Sequence, residues 1–275
     1  MSGYDESMQQ RFEQGGQKEV IPHFAEVLCD GLLEYRYPRD KGPLVACSTR
    51  LLERGEGYEH AVLQKLLKDE EPRCFVTGPD HGNVVQVIDE NTLSRDESTS
   101  ADGYVTNLSH VALVGKGADC PVVAFYDSEH HAIGLVHSGW KGTVADAPVK
   151  TLQMMRVCYA TDARKVQVVI SPSIKPEHYE VEGDVHLKFL AARDEKGAFR
   201  FPLAVESQFF LPTTKPKKLL LDVAGAITYR LLAQGIVRDN LLVSSHDTWS
   251  EKDLFHSARR DGPNLPANRM VVLLK

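Results

Sequence analysis

Residues 117–143, GADCPVVAFYDSEHHAIGLVHSGWKGT, constrain the chain more than any other stretch because they write a two-stranded hairpin into it. Val122 to Phe125 form one apolar run, Asp127-Ser128-Glu129 punctuates it, and Ala132 to Val136 form a second run. A two-residue loop at Ser128-Glu129 sets Val122 against Leu135 and Cys120 against His137. Directly opposed residues in such a pair have Cβ atoms about 5 Å apart. A thiol and an imidazole then meet at the open end of the hairpin, beside Gly139-Trp140-Lys141-Gly142. Two chemistries fit that meeting, half of a metal site or a Cys/His pair, and a single bulge would part the two groups.

The 275 residues suffice for a substantial core. A composition of 42% hydrophobic and 25% charged residues is that of an ordinary globular protein. The net charge of −6 gives no electrostatic reason to expect nucleic acid or an anionic membrane as partner. Five cysteines without a CxxC pair read as free thiols in a reducing, cytoplasmic setting. No apolar run approaches the roughly 20 residues of a membrane span, and the polar N-terminus lacks the apolar segment of a signal peptide. Residues 1–20 are expected to be a flexible polar tail, and 21–275 one catalytic domain. The sequence sets no oligomeric state.

Glu59 to Leu67 carries Val62, Leu63, Leu66 and Leu67 on one helical face. Short strands are expected at Cys74–Thr77 and Val84–Ile88, a strand pair within Val105–Gly115, and a buried strand at Val166–Ile170. Helices are expected over Ala147–Tyr159, with Pro148 in the first turn, and over Asp184–Ala192, with Leu187 and Leu190 inward. Asp222 caps a third helix, Val223–Ala233, which Gly235 ends. Leu241–Ser244 and Met270–Leu274 are the last strands. Hairpins mixed with separated helices describe an α/β chain with a mixed, largely antiparallel sheet flanked by helices.

Taken alone, Cys120 reads as a small buried hydrophobe and His137 as a hydrogen-bonded structural histidine. Their opposition favours function. His81, before Gly82 in a turn, is the best third donor, although a histidine in a turn is ordinarily just solvated. Two histidines and a cysteine with an open fourth position make a catalytic zinc site, able to lower the pKa of bound water to about 7. Arg259-Arg260 suits a phosphate or carboxylate, and Trp140 offers an aromatic face to a ring. His130 and His131 read as solvent-exposed loop residues. Signatures such as GxGxxG, GxxxxGK[ST], HExxH, GxSxG and HxH are absent.

Five blocks, in order, resemble the laccase-domain family of purine nucleoside phosphorylases, historically labelled multicopper polyphenol oxidoreductases. They are Pro79-Asp80-His81-Gly82, Ala118-Asp119-Cys120-Pro121-Val122, His137-Ser138-Gly139-Trp140-Lys141-Gly142, the stretch from Ser171 to Val181, and Phe255 to Gly262. The resemblance runs from about residue 45 to the C-terminus. It implies the fold of cytotoxic necrotizing factor-type deamidases and a Zn2+ held by His81, Cys120 and His137. It also implies phosphorolysis of adenosine, inosine or guanosine to base and ribose 1-phosphate, with adenosine deamination, and in bacterial relatives a part in peptidoglycan-precursor editing. On this reading the partners are small molecules, a purine nucleoside and phosphate. Lys141 and Arg260 would stabilise anionic charge, and Ser173 and Tyr179 would contact substrate. The chain departs from the family pattern at Pro79-Asp80, at Lys141 in place of arginine, and at Ser171 and Lys175 in place of glycines. Alternatives are a Cys/His hydrolase or amidase with Cys120 as nucleophile and His137 as base, and a non-catalytic binding protein of the same fold. Copper-dependent phenol oxidation is the weakest, for want of an HxH pair.

Overall fold

Strand Val122–Asp127 is buried at all six positions, and its side chains alternate between two cores. Val123 and Phe125 point into one, Val122, Ala124 and Tyr126 into the other, as the period-two geometry of a strand covered on both faces demands. The computed structural model describes residues 25–29, 31–36, 42–50, 72–78, 80–95, 100–262 and 266–274. The expected helix at Glu59–Leu67, Pro79 and the N-terminal tail lie outside them.

The first strands are β1 (Ala25–Cys29), β2 (Leu32–Arg36), β3 (Leu44–Ser48), β4 (Arg73–Val76) and β5 (Val85–Val87). They are followed by β6 (Gly103–Thr106), β7 (Val111–Gly117), β8 (Val122–Asp127), β9 (Ala132–His137) and β10 (Gln167–Ile170). The last are β11 (Glu180–Glu182), β12 (Phe210–Pro212), β13 (Lys218–Leu221), β14 (Leu241–Val243) and β15 (Asn268–Leu273). One sheet runs β1-β2-β3-β15-β7-β4, a second β14-β10-β8-β9-β6-β5, and a small third β11-β13-β12. Only β4–β7, β5–β6 and β10–β14 are parallel among the described ladders, so the sheets are largely antiparallel, as expected.

The helices are α1 (Glu90–Arg95), α2 (Trp140–Val144), α3 (Ala147–Tyr159), α4 (Gly183–Ala191), α5 (Leu203–Glu206), α6 (Val223–Ala233) and α7 (Ala258–Asp261). Leu152 and Met155 of α3 and Ile227 and Leu231 of α6 cover one face of the second sheet, together with Phe189 of α4. The first sheet covers the other face, through Leu113 of β7 and Met270 and Val272 of β15. The result is three layers: sheet, sheet, helix. Helices α3 and α6 are also pinned by charge. Asp146 adopts a left-handed backbone, φ 67°, and accepts from Arg230 Nε at 3.0 Å and Nη2 at 2.7 Å. Asp222 caps α6 as expected, accepting from Gly225 N at 2.7 Å, a contact of about 1 kcal/mol.

Three expectations are corrected. The central hairpin pairs Val122 with His137 and Asp127 with Ala132, so the connection is four residues, 128–131, and the register is slid by two. Asp127 Oδ1 accepts from Glu129 N at 3.0 Å and His130 N at 3.3 Å, its Oδ2 meets His130 Nδ1 at 2.8 Å, and His131 takes φ 46°. That wider turn confines positive φ to one residue, His131, where a type I′ two-residue loop would need it at both central residues. The two strands within 103–117 do not pair; β6 joins the second sheet and β7 the first. In α4 the inward residues are Val185 and Phe189, one turn apart, while Leu187 is 63% exposed and Leu190 half-buried.

Candidate metal centre

The slid register does not separate Cys120 from His137. It makes them diagonal neighbours on one face, still within reach of each other. The donor atoms of His81, Cys120 and His137 all lie within 4.8 Å of one another. The two imidazoles stand edge to face, with centroids 4.9 Å apart and planes at 88°.

Each donor is placed by a different element. His137 ends β9, is 7% exposed, and its Nδ1 donates to the Lys116 carbonyl of β7 at 2.6 Å. A carbonyl only accepts, so the proton sits on Nδ1 and the Nε2 lone pair is free. That Nε2 is buried and meets no hydrogen-bond partner. Burial, opposed by the Lys116 carbonyl and reinforced by nearby His81, lowers its pKa and keeps the ring neutral.

Cys120 precedes β8. Burial, and then the charge of Asp119, push its thiol up to about 12. Gly139 makes room for it: a Cβ there would lie 2.5 Å from the Cys120 sulfur. His81 is exposed and sits in a loop at φ 56°. Asp102, 1% exposed, shapes that loop by accepting from Gly82 N at 2.8 Å and Val84 N at 2.9 Å. The carbonyl of Asp102 also accepts from His137 N at 2.9 Å, so one residue ties both histidines together.

The donor set fits a metal ion. A buried, neutral imidazole nitrogen without a partner, a thiol awaiting a cation to lower its pKa, and an exposed histidine make a His2Cys group with solvent on one side. No hydrogen bond joins Cys120 to His137 among the described residues, and the thiol's pKa is raised. Both observations run against an activated Cys/His dyad.

The family model described as multi-copper polyphenol oxidoreductase laccase matches residues 59–274. The chain belongs to that family. A purine nucleoside phosphorylase of Synechocystis sp. is 27% identical over 207 residues, 70% of this chain and 76% of that protein. A human protein of that name is 30% identical over 190 residues, 66% of this chain and 40% of its own length. YlmD from Geobacillus stearothermophilus superposes with a TM-score of 0.77 at 22% identity, covering 92% of this chain and 100% of that one. YfiH from Bacillus licheniformis gives 0.77 at 22%, covering 90% and 97%. These structures share the mixed, largely antiparallel fold.

The other expected site residues of this laccase-family chain divide. Tyr179 is half-buried, and its phenol is pushed up first by burial and then by the charge of Cys120. Ser173 is 1% exposed with an unpartnered hydroxyl, and Ile174 N following it donates to the Asp119 carbonyl at 3.0 Å. Lys141 is exposed on α2, its Nζ 5.8 Å from the Trp140 ring centroid, with Lys188 Nζ at 5.0 Å from the same ring. Ser171 holds the turn by donating to the Pro172 carbonyl and accepting from Val122 N, both at 3.0 Å.

Arg260 is bound inward. Its guanidinium donates to the carbonyls of Thr248, Trp249 and Phe255 and to both oxygens of Asp261, which uses all five N–H groups within the fold. Asp102, Lys116 and Asp119 are given no role from the sequence, whereas Arg259 is paired there with Arg260 as an anion holder. Asp119 has a signal, its place before Cys120; Asp102 has none, lying twenty residues from the loop it holds. A cavity of about 290 Å³ lined by Asp146, Lys150, Arg200 and Arg230 includes none of the three donors. It lies at the start of α3, behind α2.

Proposed function

We propose that the chain is a cytoplasmic, zinc-dependent purine nucleoside phosphorylase that also deaminates adenosine. The convergence of His81, Cys120 and His137 around an unpartnered imidazole nitrogen carries the reading. Relatives named purine nucleoside phosphorylase supply the substrate class. Five free cysteines, and the lack of any helix among the described residues that is long and apolar enough to cross a membrane, are in keeping with a cytoplasmic enzyme. A single group of three donors among the described residues does not supply a multinuclear copper centre.

His81, Cys120 and His137 would hold the zinc ion, which would supply Lewis-acid polarisation there. The chain's own residues do the rest. Lys116 holds His137 in the tautomer that presents Nε2. On this reading Tyr179 and Ser173 contact the substrate, in keeping with the electrostatic influence of Cys120 on the Tyr179 phenol and with the unpartnered, buried Ser173 hydroxyl. Lys141, exposed two residues beyond the Gly139 that abuts the Cys120 sulfur, is assigned to stabilise anionic charge. In phosphorolysis the phosphate oxygen bonds to C1′ of the ribose as the C1′–N9 bond breaks, and the base leaves carrying a proton.

The test is metal content of the purified chain and of Cys120→Ala, with adenosine turnover measured with and without phosphate. One zinc per chain, lost in the variant, together with phosphate-dependent adenine release, is expected. No zinc and no phosphate dependence would sink the reading. Chelator-treated protein separates the hydrolase alternative: iodoacetamide at pH 7 should label exposed Cys158 well before Cys120, whose thiol stays protonated. Fast labelling of Cys120, with activity surviving chelation until it is alkylated, would favour a cysteine nucleophile.

A further inference from the structure

We propose that Arg259, not its neighbour Arg260, is the anion-recognising arginine of this site and that inorganic phosphate is the anion it takes; the inference rests on the phosphorylase reading above. Adjacent arginines are indistinguishable in a sequence, but here hydrogen bonding separates them. Arg260 spends every N–H group on Thr248, Trp249, Phe255 and Asp261. Arg259 is exposed, and of its five N–H groups one goes to the Glu180 carbonyl at 2.6 Å, with no other partner among the described residues.

Three contacts hold Arg259 on the Cys120 side of the centre. Its backbone N donates to Asp119 Oδ2 at 2.7 Å, and Asp119 is the residue before Cys120. Its guanidinium carbon lies 5.0 Å from the centroid of Tyr179, a ring whose phenol feels the charge of Cys120. The Glu180 carbonyl fixes one corner of the fork. Asp119 is itself anchored, its other oxygen accepting from the Thr248 hydroxyl at 2.7 Å. A guanidinium pinned in this way has already lost much of its rotamer freedom, so gripping an oxyanion through its remaining N–H groups costs less entropy. A planar fork suits two phosphate oxygens at once, which a lysine ammonium does not match. Phosphorolysis needs the attacking phosphate held in one orientation against the sugar. The exposed Arg259 supplies that grip, while Lys141 supplies a second charge from α2.

The experiment uses the metal-loaded full chain and inorganic phosphate as probe. Arg259→Gln is expected to raise KM for phosphate by about 10- to 100-fold with a smaller change in kcat, the scale of a charge-assisted hydrogen bond or pair of them. Arg259→Lys should fall between, keeping charge but losing the fork. Independently of turnover, phosphate should raise Tm of the wild-type chain relative to chloride at equal ionic strength, and Arg259→Gln should lose that rise. Arg260→Gln should instead lower Tm in both salts. A wild-type KM for phosphate and a retained phosphate-dependent Tm rise in Arg259→Gln would overturn the assignment, as would a wild-type chain that phosphate does not stabilise. Stabilisation lost in Arg259→Gln without any base release would sink the phosphorylase reading and leave the anion site standing. Base release insensitive to Arg259→Gln would do the reverse.

Discussion

Asp102 reaches the candidate metal centre without being a donor to it. Its carboxylate holds the loop that carries His81 through Gly82 N and Val84 N, and its carbonyl holds His137 N. Asp102→Asn keeps the shape but turns an amide N–H toward a backbone N–H, so one of those two contacts is lost. Zinc affinity, measured by chelator competition, should fall by about 10- to 100-fold, as supporting residues of metal sites commonly show. A lowered Tm with unchanged affinity would mean that Asp102 supports the fold but not the site. Arg260 teaches the complementary lesson at the same scale. A guanidinium whose five N–H groups are all bound within the protein has none left to donate to a substrate.

At the scale of elements, α4 shows how a helix chooses its face. Val185 and Phe189 are one turn apart and buried, and Phe189 packs against Phe201 at 4.8 Å and Phe210 at 5.1 Å between ring centroids. Leu187 lies on the opposite side of the same helix. Phe189→Ala should cost about 3–5 kcal/mol, the usual penalty for emptying an aromatic site in a core. Leu187→Ala should stay within about 0.5 kcal/mol. Urea denaturation midpoints of the two variants decide the point, and comparable losses would mean that Leu187 is buried in solution. The sequence offered Leu187 and Leu190 as equally apolar candidates, and only the aromatic cluster it folds against selects the other pair.

For the molecule as a whole, acid should unfold the chain partly through Asp127. Burial pushes its carboxyl up, but hydrogen bonds from the His130 ring and from the backbone of Glu129 and His130 outweigh it and leave the pKa lowered. A carboxylate with a folded pKa below its unfolded value of about 3.9 stabilises the protein above that pH. The contribution is lost as pH falls through the folded value. Asp127→Asn should therefore be less stable at pH 7, with a shallower loss of Tm between pH 5 and 2, measured by thermal denaturation across that range. An unchanged pH slope would show that Asp127 is not linked to folding. Asp247 and Asp261 have lowered pKa values as well, so some acid sensitivity should remain in the variant.

Most of the strands, the helix at Ala147–Tyr159 and the cap at Asp222 were legible in the sequence, because alternation, periodicity and capping are properties of neighbours along the chain. The identities of His81, Cys120 and His137 were legible for the same reason: each stands in a short block of characteristic neighbours. Tertiary structure decided what depends on partners far away in the chain. The hairpin register followed from four residues gathered around Asp127, where a two-residue loop would have strained ordinary side chains. The free nitrogen of His137 followed from a carbonyl on the other sheet, at Lys116. The different bonding of Arg259 and Arg260 followed from which carbonyls surround each guanidinium. A sequence states which groups can bond; only the folded chain brings them within about 3 Å, where a hydrogen bond forms.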